Sequence, residues 1–181
     1  LETTDVMPLA RRQLLATTDL LAAREHLSRC FWPHTVRLAE ARPRVYFRHN
    51  VGELAGFSLN ALRYGTGVVI ESEPADDSFL VMLTLGGTAE LSQDGDRIDC
   101  GPGSIAVMNP TRRLHVRLSR DHNQLTLRMD GRHLHAYLAR ELGITPQQPL
   151  VFAPENSLLN ARTPGLSHLV AALLGDLDLA A

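Results

Sequence analysis

Cysteine is scarce in this 181-residue chain, with only Cys30 and Cys100 present. Two thiols cannot build a disulfide framework, and neither sits in a C-x-x-C context, so a stapled extracellular scaffold and a dithiol redox centre are both excluded. They read as reduced, buried residues of a cytoplasmic protein. Net charge is also small, at −2, which removes the electrostatic footprint of a segment that itself binds nucleic acid. Long apolar runs are missing: nothing approaches the ~20 residues of a membrane span, so no membrane partner is expected. The stretch Arg11-Arg12-Gln13-Leu14-Leu15 superficially resembles a twin-arginine export signal. Thr17, Thr18, Asp19, Arg24 and Glu25 interrupt the apolar region such a signal requires. Internal repeats and low-complexity segments do not occur.

What is present describes an ordinary globular chain, 44% hydrophobic and 21% charged. A fold of this size suits one domain and buries roughly 70% of the surface of its unfolded chain. The most informative run is TAELSQDGDRIDCGPGSIAVMNP, residues 88–110. Asp94-Gly95 between alternating segments is a strong hairpin signal, because both residues tolerate positive φ at little steric cost. A Gly-Pro-Gly corner follows at 101–103, then a short apolar run stopped by Asn109-Pro110. Such a corner suits a strand that leaves one sheet and enters the facing one, as in small β-barrels.

Residues 1–17 show no sustained pattern and read as an arm or irregular lead-in. A helix follows from Asp19, capped by Thr18 or Asp19, with Leu20, Ala23, Leu27, Cys30 and Phe31 as its apolar stripe. Pro33 ends it. Between 44 and 129 the pattern changes to short strands, at 45–50, 57–64, 68–71, 79–85, 88–92, 97–100, 105–108, 114–118 and 124–129, which is the spacing of an antiparallel sandwich or barrel. The run at 79–83 has no polar alternation and predicts a strand covered on both faces, for instance by the barrel interior and a helix. Helical periodicity returns at about 132–143, where Gly143 is a natural C-cap, and again at about 164–179, after Thr163-Pro164.

Several segments together resemble the N-terminal sensor domain of AraC-type transcription regulators. They are the helix from Thr18-Asp19 to Phe31 with Pro33-His34, GFSLNALRYG (56–65), LTLGG (83–87), QDG (93–95), GPGSIAVMNP (101–110) and LARELG (138–143). They occur in the expected order over roughly two thirds of the chain. The resemblance implies a mainly β fold, a cupin-like (jelly-roll) antiparallel β-barrel with an N-terminal helix and two C-terminal helices. It also implies a small-molecule effector, a homodimer, and contact with DNA only through a helix-turn-helix domain, for which nothing in these residues matches.

Catalytic patterns are thin. The barrel of metal-dependent cupins, dioxygenases and isomerases among them, would make an enzyme one alternative, and a stand-alone ligand-binding module with no DNA partner is the other. Two histidines at i and i+2 on a strand share a face and can chelate one ion. The H-x-H here, His133-Leu134-His135, lies in a predicted helix, where those positions diverge by about 200°. Such cupins usually carry a further histidine after Gly-Pro-Gly; this chain has Ser104, Ile105, Ala106 and Val107. No metal ligand and no cofactor is assigned. No G-x-S-x-G elbow occurs, neither cysteine has a neighbouring histidine in sequence, and Gly65-Thr66-Gly67 precedes a strand, so it makes a tight turn and no phosphate cradle.

A binding cavity remains. A small barrel not filled by its own side chains can hold a ligand in an apolar pocket oriented by a few polar groups. The polar candidates are Arg48, His49, Asn60, Tyr64, His115 and Arg117. Asn60 and Tyr64 share strand parity, as do His115 and Arg117, whereas Arg48 and His49 cannot both point inward. Arg37, Arg42, Arg44 and Arg48 form either a solvated face or, in the sharper reading, a source of bidentate contact with an anionic effector. Leu138, Leu142, Leu169, Leu173 and Leu177 either pack on their own barrel or form the homodimer interface that the resemblance implies.

Overall fold

The computed structural model describes residues 7–41, 43–54, 56–75, 78–146, 148–152 and 172. Asp19 starts helix α1 (Leu20–Cys30) because its carboxylate accepts the otherwise orphaned N–H groups of Leu21, at 2.8 Å, and Ala22, at 3.4 Å. Ala23 and Leu27 are the buried face of that helix. Asp130 caps helix α2 (Gly131–Leu142) in the same way through Arg132 N–H at 2.8 Å, and Gly143, in the left-handed region, ends it. Both helices stand where the periodicity puts them. The predicted helix at 164–179 falls, but for residue 172, outside the described residues.

Among the described residues, eleven strands lie between and before these helices: β1 (Gln13–Thr17), β2 (Thr35–Leu38), β3 (Phe47–Leu54), β4 (Phe57–Arg63), β5 (Val68–Ser72), β6 (Ser78–Gly86), β7 (Ala89–Gln93), β8 (Asp96–Cys100), β9 (Ile105–Met108), β10 (Leu114–Leu118) and β11 (Asn123–Asp130). They form a six-stranded sheet, β1-β3-β4-β11-β6-β9, and a five-stranded sheet, β2-β5-β10-β7-β8. All pairings are antiparallel.

The inner eight strands are one long hairpin rolled up. β4 pairs with β11, β5 with β10, β6 with β9 and β7 with β8. Asp94 (φ 50°) and Gly95 (φ 97°) are the tip of that hairpin, with Gln93 opposite Asp96, so the turn read from the sequence closes the whole jelly roll. The Gly-Pro-Gly corner carries the chain from β8 in one sheet to β9 in the other, and Gly103 N–H donates to Thr84 O at 2.8 Å to hold the crossing.

Two expectations need correction. The sheets do not close into a barrel: each ends in edge strands, and they face each other as the two layers of a sandwich. The lead-in is not wholly irregular, because 13–17 forms β1 and pairs with β3. β1 and β2 are five- and four-residue edge strands with half-exposed or exposed side chains, too short and too mixed to show a period.

The main core lies between the sheets and joins Phe47, Leu62, Leu80 and Met82 of one to Val68, Leu91, Leu114, Val116 and Leu118 of the other. Strand β6 is covered on both faces. Its outer side meets Met7 and Leu9 through the second apolar cluster, and Phe79 meets Phe152 edge-on at a centroid distance of 5.4 Å. Among the described residues, chain segments flanking the roll supply that cover. Asn50 Nδ2 donates to Pro8 O at 2.8 Å and helps hold the lead-in down.

Candidate functional site

The end of α1 and the residues after it roof a cavity of about 70 Å3 between the sheets. By the measure on which one water needs about 10–15 Å3, this admits a few waters or one small organic group. Leu27, Phe31 and Trp32 cover it, and Leu62, Met82, Leu114 and Val116 form much of its apolar wall. Six polar side chains line it: His34, Arg63, Tyr64, His122, Gln124 and Thr126.

His34 and Tyr64 carry unspent hydrogen-bonding capacity, and His122 Nδ1 is a further buried atom without a partner among the described residues. His34 Nδ1–H donates to Trp32 O at 2.9 Å, which leaves Nε2 as a lone-pair acceptor; that atom is buried and unpartnered among the described residues. The Tyr64 hydroxyl is likewise buried without a partner. Burial lowers the pKa of His34 and raises that of Tyr64, so both are neutral near pH 7. Gln124 and Thr126 are already engaged: His122 Nε2–H donates to Gln124 Oε1 at 2.9 Å, and Gln124 Nε2 donates to Thr126 Oγ1 at 2.8 Å. An apolar wall with a few polar groups, among them the His34 acceptor, the Tyr64 hydroxyl and the Arg63 side chain, is the lining of a site for a small, largely apolar molecule.

A second polar array lies beneath the middle of α1. His49, fully buried, sits between His26 (Nε2 to Nδ1, 2.8 Å) and Asn60 (Nε2 to Oδ1, 3.0 Å). Cys30 Sγ stands 3.7 Å from His26 Nε2. This array opens to a groove of about 420 Å3 that Arg29, Glu53, Arg128 and Asp130 also line. Burial holds the His49 pKa down at about 4, against a smaller opposing effect of the Asn60 hydrogen bond. His26 is lowered by burial and by Arg29, and the Cys30 thiol is raised, mainly by burial.

The six polar candidates divide by strand parity. His49, Asn60 and Tyr64 are buried, the first two in direct contact and Tyr64 in the separate cavity. Arg48, His115 and Arg117 do not reach the interior. Arg48 alternates with inward Phe47 and His49 and is exposed. His115 and Arg117 alternate with inward Leu114, Val116 and Leu118, and His115 approaches Glu71 at 3.8 Å on the outer face. Arg37 and Arg44 are exposed and Arg42 is outside the described residues. Leu138 is half-buried and Leu142 exposed, whereas Leu169, Leu173 and Leu177 lie outside the described residues. His133 and His135 stand on α2 as expected, and the His133 ring lies against Gly56. Sequence reading passed over His26, His34, Gln124 and Thr126; only the i, i+4 spacing of His26 and Cys30 on an amphipathic helix carried a signal.

In solved structures, the AraC-like transcriptional activator CuxR superposes with a TM-score of 0.68 at 16% identity, over 90% of this chain and 60% of that one. The chain thus spans 60% of the length of that neighbour. KdgF from Halomonas sp. matches with a TM-score of 0.41 at 13% identity, over 52% of this chain and 86% of that one. A Cupin 2 conserved barrel domain protein from Salinispora arenicola gives 0.37 at 17%, over 58% and 100%. None of the curated proteins matches in sequence. Among the described residues no helix is long and apolar enough to cross a membrane. The model of the AraC-binding-like domain matches residues 23–181, most of the chain, and the protein belongs to that family.

Proposed function

We propose that this chain is the effector-binding and dimerisation domain of an AraC-type transcription regulator, acting in the cytoplasm on DNA through a helix-turn-helix domain outside these residues. Membership of the AraC-binding-like family supports the class of protein. The observation that carries the binding function is the interior cavity with two buried, unspent hydrogen-bonding groups, His34 Nε2 and the Tyr64 hydroxyl. Burying such groups unpaired costs about 1–3 kcal/mol each, and a ligand that satisfies them recovers that cost.

The effector is a small neutral molecule, mostly apolar, with an O–H or N–H donor for His34 Nε2 and a second polar group for Tyr64. The exposed Arg37, Arg44 and Arg48 stand away from the cavity, whereas Arg63 is among its lining residues. Occupancy favours whichever arrangement of roof, arm or dimer binds it better, by no more than its differential affinity for the two. The role is binding and not catalysis. Dimerisation is assigned to Leu138 and Leu142 on α2, and to Leu169, Leu173 and Leu177, which lie outside the described residues.

Trp32, the single tryptophan of the chain, lines the cavity and reports on it directly. Small phenols and alcohols, each with its carboxylate counterpart, are titrated into the protein while tryptophan fluorescence is followed. A saturable change with a neutral compound, lost on Tyr64→Phe together with His34→Gln, supports the reading. Binding only of the carboxylates, or saturable binding that leaves Trp32 unaffected, overturns it.

A further inference from the structure

We infer that His26, Cys30 and His49 form a binding site for a zinc-class divalent ion, tying α1 to strand β3 at a place distinct from the effector cavity. The i, i+4 spacing puts His26 and Cys30 on one face of α1, and the parity of β3 turns His49 toward them. The donor atoms of the three all lie within 4.8 Å of one another.

The hydrogen bonds around His49 determine which nitrogen it presents. Asn60 Nδ2 donates to Ser58 O at 3.1 Å, Ser58 Oγ at 3.0 Å and Thr126 O at 3.2 Å, so its Oδ1 faces His49 and accepts Nε2–H. His49 Nδ1 is therefore the lone-pair nitrogen, aimed at His26 and Cys30. A fixed outer partner that sets the tautomer is the usual support of a metal-bound imidazole.

Bond lengths of about 2.05 Å to nitrogen and about 2.3 Å to sulfur in a tetrahedron require N···N near 3.3 Å and S···N near 3.6 Å. The observed Cys30 to His26 separation, 3.7 Å, already suits this, while the His26 to His49 separation of 2.8 Å opens by about half an ångström when an ion replaces the hydrogen bond. His26 then carries its proton on Nδ1. Cys30 passes its thiol proton to solvent as the S–metal bond forms, so one proton is released per ion. Two imidazoles and a thiolate select a borderline ion over magnesium or calcium. Three protein ligands leave a fourth position, toward the groove that Glu53 lines, for water or a small ligand.

The test uses chelator-treated protein of this full sequence, titrated with Co2+ and then Zn2+. The expected result is one cobalt per chain, with a thiolate-to-metal charge-transfer band and visible bands of tetrahedral intensity, all abolished by zinc. Cys30→Ser removes the charge-transfer band, and His26→Gln weakens cobalt binding at least tenfold. Both positions are only half-buried, and far-ultraviolet circular dichroism with the thermal midpoint establishes that the variants fold. A wild-type protein without the charge-transfer band, or a band that survives Cys30→Ser and so belongs to Cys100, overturns the site.

Discussion

Asn109 holds Phe152 through both ends of its backbone: Asn109 Nδ2 donates to Phe152 O at 3.1 Å, and Phe152 N–H donates to Asn109 Oδ1 at 2.8 Å. The backbone of Asn109 is itself gripped by Gln93, which donates to its carbonyl and accepts its N–H, both at 2.9 Å. The segment after α2 is thereby fastened to the end of β9, beside the tip of the roll. Asn109→Ala frees the Phe152 peptide and leaves buried groups unpaired, and should lower unfolding free energy by about 1–3 kcal/mol. Urea denaturation reads the loss. Hydrogen exchange should quicken at Phe152 while strand β11 stays protected; equal quickening in both would mean that the contact is no local tether.

Tyr64 offers the opposite case, a buried polar atom whose removal costs little. Its hydroxyl has no partner among the described residues. Tyr64→Phe should leave the urea midpoint unchanged or raise stability by up to about 1 kcal/mol, yet weaken a bound neutral effector about tenfold, the worth of one hydrogen bond of ~1.4 kcal/mol. A destabilised variant with unaltered ligand affinity would place the hydroxyl in the structural network and not in the binding site.

Much of the roll is legible because its turns are chemically marked. Asp94-Gly95, the Gly-Pro-Gly corner and Gly143 each require or favour backbone angles that few residues adopt, and each stands where the sequence puts it. Strand parity is legible where one side alternates cleanly, as in Leu114, Val116 and Leu118. It fails to identify cavity residues, because parity says which residues share a face and not which face is inside. Arg117 and His115 share a face as read; the face is the outer one. The His26–His49 contact joins residues 23 apart on a helix and a strand. No local period encodes it. Strands β1 and β2 are too short to declare themselves, whereas β11 is read at 124–129 although Gln124–Thr126 is buried on both faces.

Gly87 and Gly95 both adopt positive φ, at 66° and 97°, but only one is crowded. A Cβ at Gly95 would meet nothing within 4 Å, whereas one at Gly87 would stand 2.6 Å from the backbone nitrogen of His122 and 2.7 Å from the carbonyl carbon of Asp121. Gly95→Ala should therefore cost about 1–2 kcal/mol, the left-handed penalty alone. Gly87→Ala adds overpacking of about 1–3 kcal/mol, because backbone must move. Paired urea curves measure the difference. Equal losses would mean that the 119–122 loop yields freely and does not pin the turn between β6 and β7.

The interior histidines set how stability depends on pH. Burial is the largest cause lowering His49, to about 4, and it also leads the lowering of His26, His34 and His122. In the unfolded chain these groups titrate near 6.5. Between that value and their folded values the unfolded state binds more protons than the native one, so stability rises with pH. It is fully present above about pH 6.5 and is lost progressively as pH falls toward 4. Asp121 and Asp130 have lowered pKa values and so act only at or below the ordinary carboxylate range, beneath this window. In chelator-treated protein the urea midpoint should be level between pH 7 and 8 and fall from pH 7 to 5 with an unchanged m-value. His49→Gln should flatten the fall, since its side chain takes no proton in the unfolded state. A midpoint that rises as the solution is acidified would mean that these imidazoles are charged and paired in the native protein, and would remove the neutral acceptor that the cavity needs at His34.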